Sequence, residues 1–319
     1  MVEITINKLK DVDIPKLASF MFEATKDTVF HRDDRTKESL EQSFERMANN
    51  ENVLVLIATT NGKIAGVLRV FTGVPEIVLA GNWHPRIHHD DAREEIALEM
   101  IQFCKEYVKE NGFKRFEINL GPIREEHVDV LKEYKAWCDK SGLYRSNEEV
   151  FLQLDLQEYQ LPTAQPSLPD GFRFETIDNI TNDDIESTVF NSFANESDRG
   201  FTDLTRSQQK TVFNFWFRRS QPFHRSAIFL MKDDEVVGFN VVRVEDDSAR
   251  IGPLGVIPKH QRKGIMKAVL HDSIKQLQED GIKIARLEVD KSNNPAIGLY
   301  AKFGFKEQYT QLYYAWRVE

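Results

Sequence analysis

The sequence predicts an α+β protein of two similar domains, each a mixed, mostly antiparallel sheet flanked by helices, on three observations. Its 319 residues are roughly twice the ~150 of a typical single domain. The stretch Gln157 to Gly171 holds Pro162, Pro166 and Pro169 without a periodic apolar pattern, and reads as a linker. Each flanking segment opens on an alternating strand-like run, Glu3 to Leu9 and Phe172 to Ile177, and continues with helical patterns. The expected domains are residues 1–156 and 172–319, joined by 157–171.

Composition narrows the function classes. With 41 % hydrophobic residues, 29 % charged and 22 Phe, the chain has material for genuine cores. No apolar run approaches the ~20 residues that span a bilayer, and Met1 to Ile6 lacks the pattern of a signal peptide, so the expectation is a cytoplasmic protein with no membrane partner. Cys104 and Cys138 form neither a disulfide framework nor a zinc motif, and buried thiols are expected. A net charge of −9 gives no basic footprint for nucleic acid and favours cationic or neutral partners.

In the second half, Asp183 to Phe193 and Thr205 to Arg219 carry apolar residues at helical spacing. Ala227 to Met231 and Val236 to Val244 flank the acidic turn Lys232-Asp233-Asp234-Glu235 as a hairpin, and Ala249 to Val256 is a third strand. A helix runs from Gly264 to about Glu279 and stops at Gly281. A strand Ile284 to Val289, a short helix opening at Pro295 and a closing strand Phe305 to Arg317 follow. Three antiparallel strands before a βα unit mark an α+β order rather than a doubly wound one.

The junction Leu254-Gly255-Val256-Ile257-Pro258 followed by Gln261-Arg262-Lys263-Gly264-Ile265-Met266-Lys267 carries the chemistry. A strand ends at Val256, Pro258 stops its ladder, and a basic turn feeds a glycine at a helix start. Unpaired N–H groups and the positive dipole end make such a start favourable for phosphate. Gly264 permits close approach of a ligand, while Lys259, Arg262, Lys263 and Lys267 add charge. An ordinary solvated basic turn reads the same way on composition, and the later run Asn293-Asn294-Pro295-Ala296-Ile297-Gly298-Leu299-Tyr300-Ala301-Lys302-Phe303-Gly304-Phe305 decides between them.

Gln261-Arg262-Lys263-Gly264-Ile265 resembles the acyl-CoA signature Gln/Arg-x-x-Gly-x-Gly/Ala of the GNAT superfamily of N-acetyltransferases. Asn293, Ala296, Ile297, Leu299, Tyr300, Gly304 and Phe305 resemble its later motif, in family order and spacing. The resemblance covers Phe172 to Glu319. One departure is Met266, which stands where the family has Gly or Ala and narrows the diphosphate turn unless its side chain points away.

The resemblance implies transfer of an acetyl group from acetyl-CoA, as acyl donor and without a metal, to a primary amine of a small molecule or peptide. Backbone groups at Leu254, Gly255 and Val256 would hold the pantetheine arm and stabilise the oxyanion. Gln261 to Lys267 would wrap the diphosphate, and Asn293 would cap the later helix and help hold the cofactor. Tyr300 is the expected general acid: a phenol of pKa near ~10 can protonate a thiolate whose conjugate acid lies near ~8.5. A core tyrosine is the competing reading. For the base, Glu288 lies between Leu287 and Val289, so alternation directs it to the opposite face, where a burial-raised pKa would suit the role. Glu245 and ordered water are the alternatives.

Acceptor recognition is expected from the two early helices, with Phe193, Phe213, Phe215, Trp216 and Phe217 mostly core and Glu196, Asp198 and Asp203 available to a cationic amine. Two other readings fit the same motifs: a non-catalytic acyl-CoA-binding module, and an O-acyltransferase.

The first half then reads as a degenerate, non-catalytic copy. Val53 to Thr59 and Ile64 to Val70 repeat the hairpin around Asn61-Gly62-Lys63. Trp83-His84-Pro85 matches Val256-Ile257-Pro258, and a long helix covers Asp91 to Asn111. A strand Phe116 to Leu120 follows, and Gly142-Leu143 sets Cys138 opposite Tyr300. In place of the glycine turn stands His88-His89-Asp90-Asp91-Ala92-Arg93, whose carboxylates would repel a diphosphate and serve as caps. A metal site among these histidines and aspartates is disfavoured, because Pro85 and the spacing preset no ligand geometry.

Overall fold

A computed structural model describes residues 2–88, 92–162, 166–194, 198–217 and 223–319. The chain forms two compact units. One comprises Met1–Asn147 with Gln311–Glu319, the other Glu148–Thr310. The sequence reading divides the chain at 157–171 instead. The described part of that stretch has no helix or strand, but two strands cross between the units elsewhere, and periodicity alone does not report which sheet a strand joins.

In the first unit, β1 (Glu3–Lys8), β2 (Val53–Thr60), β3 (Lys63–Val74) and β4 (Ile77–Ala80) pair antiparallel in turn, with α1 (Ile14–Glu23) and α2 (Lys37–Ala48) between β1 and β2. Thr36 opens α2 with a capping box closed by Ser39. The two-residue strand β5 (Arg86–Ile87) lies against β3. β4 runs parallel to β6 (Arg115–Ile123) after the helix α3 (Arg93–Glu110). The helix α4 (Val128–Lys140) leads into β7 (Tyr144–Asp155). One core, around Leu56, Leu68, Met100, Ile101, Phe116 and Trp137, packs α3 and α4 on the sheet; a second, around Leu17, Phe20, Phe44, Val55 and Val67, packs α1 and α2. Leu312 and Tyr314, from the end of the sequence, belong to the first of these cores.

The second unit repeats the plan. β8 (Phe172–Glu175) pairs with β9 (Ile228–Lys232), β9 with β10 (Glu235–Glu245) and β10 with β11 (Ser248–Val256), all antiparallel. Between β8 and β9 stand α5 (Asn182–Phe193), the four-residue α6 (Arg199–Thr202) and α7 (Arg206–Trp216). α8 (Ile265–Glu279) connects β11 to the parallel strand β12 (Ile284–Asp290). α9 (Asn294–Lys302) and β13 (Lys306–Arg317) follow. Residues Glu149 to Asp155 of β7 pair antiparallel with β12, and Val150, Leu152 and Leu154 join its core with Leu270, Leu287 and Phe305.

The predicted hairpins, long helices and closing strand all form within a few residues of the expected bounds. β4 and the short α6 had no distinct signal in the sequence.

Candidate active site

β11 and β12 are paired at only three positions, Ser248 with Ile284, Ala249 with Ala285 and Arg250 with Arg286. Beyond Arg250, β11 stays on β10 through Asn240–Leu254, Phe239–Gly255 and Gly238–Val256, while no strand pairs its other edge among the described residues. Every backbone has an N–H and a C=O to satisfy, so this one-sided stretch presents groups to a ligand lying between the strands. Leu254, Gly255 and Val256 occupy it.

Gly255 carries no side chain for a reason the packing makes plain. A Cβ there would stand 2.9 Å from the Ser192 Cβ of α5 and 3.2 Å from the Phe239 ring, so its absence lets α5 lie close on the open strand.

At the end of β11 the chain turns through Pro258–His260, and the Gln261 amide Nε2 donates to the Val256 carbonyl at 3.0 Å, clamping the turn. The backbone is left-handed at Arg262 (φ 62°) and again at Gly264 (φ 75°). This alternation is the geometry that gathers successive N–H groups into an anion-binding concavity. The N–H groups of Arg262, Lys263, Gly264, Ile265 and Met266 have no acceptor among the described residues. They sit at the positive end of α8, and the position where a Gly264 Cβ would lie is open space.

The side chains sort themselves around this concavity. Ile265 is buried, and Met266 packs on the same apolar cluster as Val256, Ile257 and Val269, so the bulk that departs from the family pattern has a place in the core. Arg262, Lys263 and Lys267 are exposed beside the turn. Lys259 is held by Glu235 at 2.6 Å, and the Lys263 Nζ lies 3.3 Å from the His260 ring. Burial, then Lys263 and Lys259, lower the His260 pKa.

Asn293 caps α9, its side chain accepting from the Ala296 N–H at 3.2 Å. Tyr300, 4 % exposed, belongs to the cluster of Leu287, Val289, Phe303 and Phe305, against which Leu254 also packs. Its ring meets Phe305 edge-on at 5.9 Å. Glu288 faces away from Leu287 and Val289, as alternation requires, and is partly exposed. Its carboxylate pairs with the Arg250 guanidinium, an ion pair rather than the apolar setting expected of a base. Tyr300 and Glu288 thus lie on opposite faces of β12. Glu245 is exposed.

One residue without a sequence signal stands at the end of β12. Asp290, 7 % exposed, accepts from the Arg199 N–H at 2.8 Å and from the Ser292 N–H and hydroxyl at 2.7 and 2.6 Å. It ties α6 to the strand whose separation from β11 opens the site. Asp198 caps α6. Of the aromatic set, Phe193 and Phe213 are buried, Trp216 and Phe217 pack on them, and Phe215 is 55 % exposed. Glu196 and Arg219 lie outside the described residues.

Residues 190–305 match the Acetyltransferase (GNAT) family. The match falls within the second unit. Among curated proteins, a mycothiol acetyltransferase of Clavibacter sepedonicus is 25 % identical over 183 residues, 56 % of this chain and 58 % of that protein. The chain thus spans less than two thirds of that relative's length. Among solved structures, a GCN5-related N-acetyltransferase from Sphaerobacter thermophilus covers 99 % of this chain and 95 % of its own at a TM-score of 0.65 and 14 % identity. A tandem GNAT protein from the clavulanic acid biosynthesis pathway covers 99 % and 98 % at 0.57 and 14 %. The fold of the whole chain is therefore that of a tandem GNAT protein.

Set beside the second unit, the first shows the same parting of strands and a different use of it. β4 and β6 also pair in parallel at three positions, Ile77 with Arg115, Val78 with Phe116 and Leu79 with Glu117. Here the chain itself enters the gap. The Trp83 N–H donates to the Asn119 carbonyl at 2.9 Å, its indole N–H reaches the Pro122 carbonyl at 3.3 Å, and the Tyr134 hydroxyl lies 2.7 Å from the Pro85 carbonyl oxygen. Trp83 is therefore a plug between the strands, not the strand end that its match to Val256 implies. Cys138, the sequence match of Tyr300, is buried, and burial pushes its thiol pKa up to about 12. His89, Asp90 and Asp91 lie outside the described residues. Among those described, no His, Cys, Asp and Glu group has metal-binding geometry, and no helix is long and apolar enough to cross a membrane.

Proposed function

We propose that the second unit transfers an acetyl group from acetyl-CoA to the primary amine of a small molecule, as an N-acetyltransferase. The observation that carries this reading is the open edge of β11 ending in the unpaired N–H concavity of residues 262–266. The diphosphate sits on those N–H groups, with Arg262, Lys263 and Lys267 beside it. The pantetheine arm follows Leu254, Gly255 and Val256, and a backbone N–H there stabilises the oxyanion as the amine nitrogen attacks the thioester carbon. Asn293 and Tyr300, on α9, complete the donor side.

Collapse of the tetrahedral intermediate breaks the C–S bond, and the Tyr300 hydroxyl supplies the proton to the thiolate. The proton lost by the amine goes to water or to Glu288, which must share its carboxylate with Arg250 to take it. Because Tyr300 and Glu288 lie on opposite faces of β12, acid and base meet the substrate only through the gap between β11 and β12. The relatives' name, mycothiol acetyltransferase, favours a small-molecule acceptor. We assign the first unit a non-catalytic role, since Trp83 fills its gap.

The burial of Tyr300 among apolar side chains favours a second reading, an acyl-CoA-binding module. Thiol release from acetyl-CoA across an amine panel separates the two. Under the leading proposal at least one amine is acetylated, and Tyr300→Phe lowers kcat by roughly 10²–10⁴-fold with the KM for acetyl-CoA unchanged. Tight CoA binding without turnover on any amine supports the module instead.

A further inference from the structure

The first unit holds a group of buried and half-buried cations that make no ion pair among the described residues. Arg86 lies directly opposite Val67 in the β3–β5 pair, and Arg69 stands two residues along β3. Strand alternation therefore puts both on the Val67 face, the one covered by α1 and α2. Arg35 comes from the connection between those helices. The Arg86 guanidinium carbon is 3.7 Å from the centre of the Phe30 ring. Arg86 is 8 % exposed, and its Nη1 has no hydrogen-bond partner.

The partners of Arg69 are weak ones for a cation. Arg69 Nη1 reaches the Met47 sulfur at 3.7 Å, and its backbone N–H lies 3.3 Å from Nδ1 of the buried His84. None of Arg35, Arg69 and Arg86 makes an ion pair within the described residues. Arg35 lowers the pKa of both Arg69 and Arg86, and Arg69 that of Arg86, which falls to about 10 with burial as the main cause. Guanidinium groups taken out of water are ordinarily matched by carboxylate or phosphate forks, because an unpaired buried cation is strongly disfavoured.

We propose that this face of the first unit binds a small-molecule oxyanion, a carboxylate or phosphate, on the guanidinium groups of Arg86, Arg69 and Arg35 beside the Phe30 ring. The low exposure of Arg86 favours a small molecule over a protein surface. The site is separate from the acyl-transfer proposal and needs no acetyl-CoA.

Calorimetric titration of the full chain with inorganic phosphate, and separately with succinate, at fixed ionic strength tests it. The expected result is saturable binding of at least one probe, weakened ~10-fold or more in both Arg86→Gln and Arg35→Gln. The arm that binds tells phosphate from carboxylate. Should Arg86→Gln fail to fold, Arg69→Gln takes its place beside Arg35→Gln, whose position in a connection spares the core. The proposal is overturned if neither probe saturates, or if binding is unchanged in the variants, which would put the anion elsewhere, as at the turn of residues 262–266.

Discussion

Replacing Gly255 with alanine tests whether the open strand edge depends on the close approach of α5. The new methyl group would meet the Ser192 Cβ at 2.9 Å and two Phe239 ring atoms at 3.2 and 3.3 Å. Neither neighbour has room to give. Ser192 and Phe239 are 1 % and 2 % exposed, and the Phe239 ring is held by Phe193 and Phe217 at 6.1 and 5.9 Å. Overpacking of this kind costs about 1–3 kcal/mol, and each kcal/mol shifts the Tm of a domain of this size by roughly 2–4 °C. Denaturant unfolding of Gly255→Ala, Ser192→Gly and the double variant is the assay. The double-mutant cycle should return a coupling of about 1 kcal/mol or more, since Ser192→Gly removes the colliding atom. Additive effects, or a Gly255→Ala chain as stable as the parent, would refute the packing argument and with it the claim that α5 sets the shape of the edge.

Three further outcomes are expected. Gly264→Ala meets no steric obstacle but must hold a left-handed backbone, costing about 1 kcal/mol; its Cβ enters the N–H concavity, so the KM for acetyl-CoA should rise while kcat holds, read by steady-state kinetics. Stability should fall on acidification through His84. Burial first, then Arg69 and Arg86, hold its folded pKa well below 6.5, so on acidification the unfolded chain takes the proton first. Stability is full above about pH 6.5 and drops below it by up to ~1.4 kcal/mol per pH unit, a slope that His84→Gln should flatten in pH-dependent unfolding. Finally, a chain lacking residues 1–161 loses the strand that pairs β12 and should be insoluble or molten, checked by expression and near-UV circular dichroism.

Much of this was legible in the residues. The glycine turn, the Asn293 cap and the placement of Glu288 opposite Leu287 and Val289 follow from local rules of φ, capping and alternation, and those rules act over a few neighbours. What the sequence did not show is set by distant partners. The ion pair of Glu288 with Arg250 joins two strands separated by α8, and the bond from Asp290 to Arg199 closes across an even longer span. The Trp83 plug was missed for a related reason: its alignment with Val256 is correct in order, but only the hydrogen bonds to Asn119 and Pro122 show the chain filling the gap. Arg86 and Arg69 read as ordinary strand residues until the β3–β5 register puts them on one face.

The crossing strands have a consequence for how the chain is made. Leu312 and Tyr314 complete a core otherwise drawn from residues 54–143, so the first unit cannot finish folding on the ribosome when its own helices have emerged. It must wait, with the edge of β6 unpaired, until the whole second unit has been synthesised. Vectorial synthesis, which usually lets the leading domain fold first, here leaves the leading unit to be sealed last. A bulky fusion placed after Glu319 would therefore burden the unit built mainly from residues 1–147.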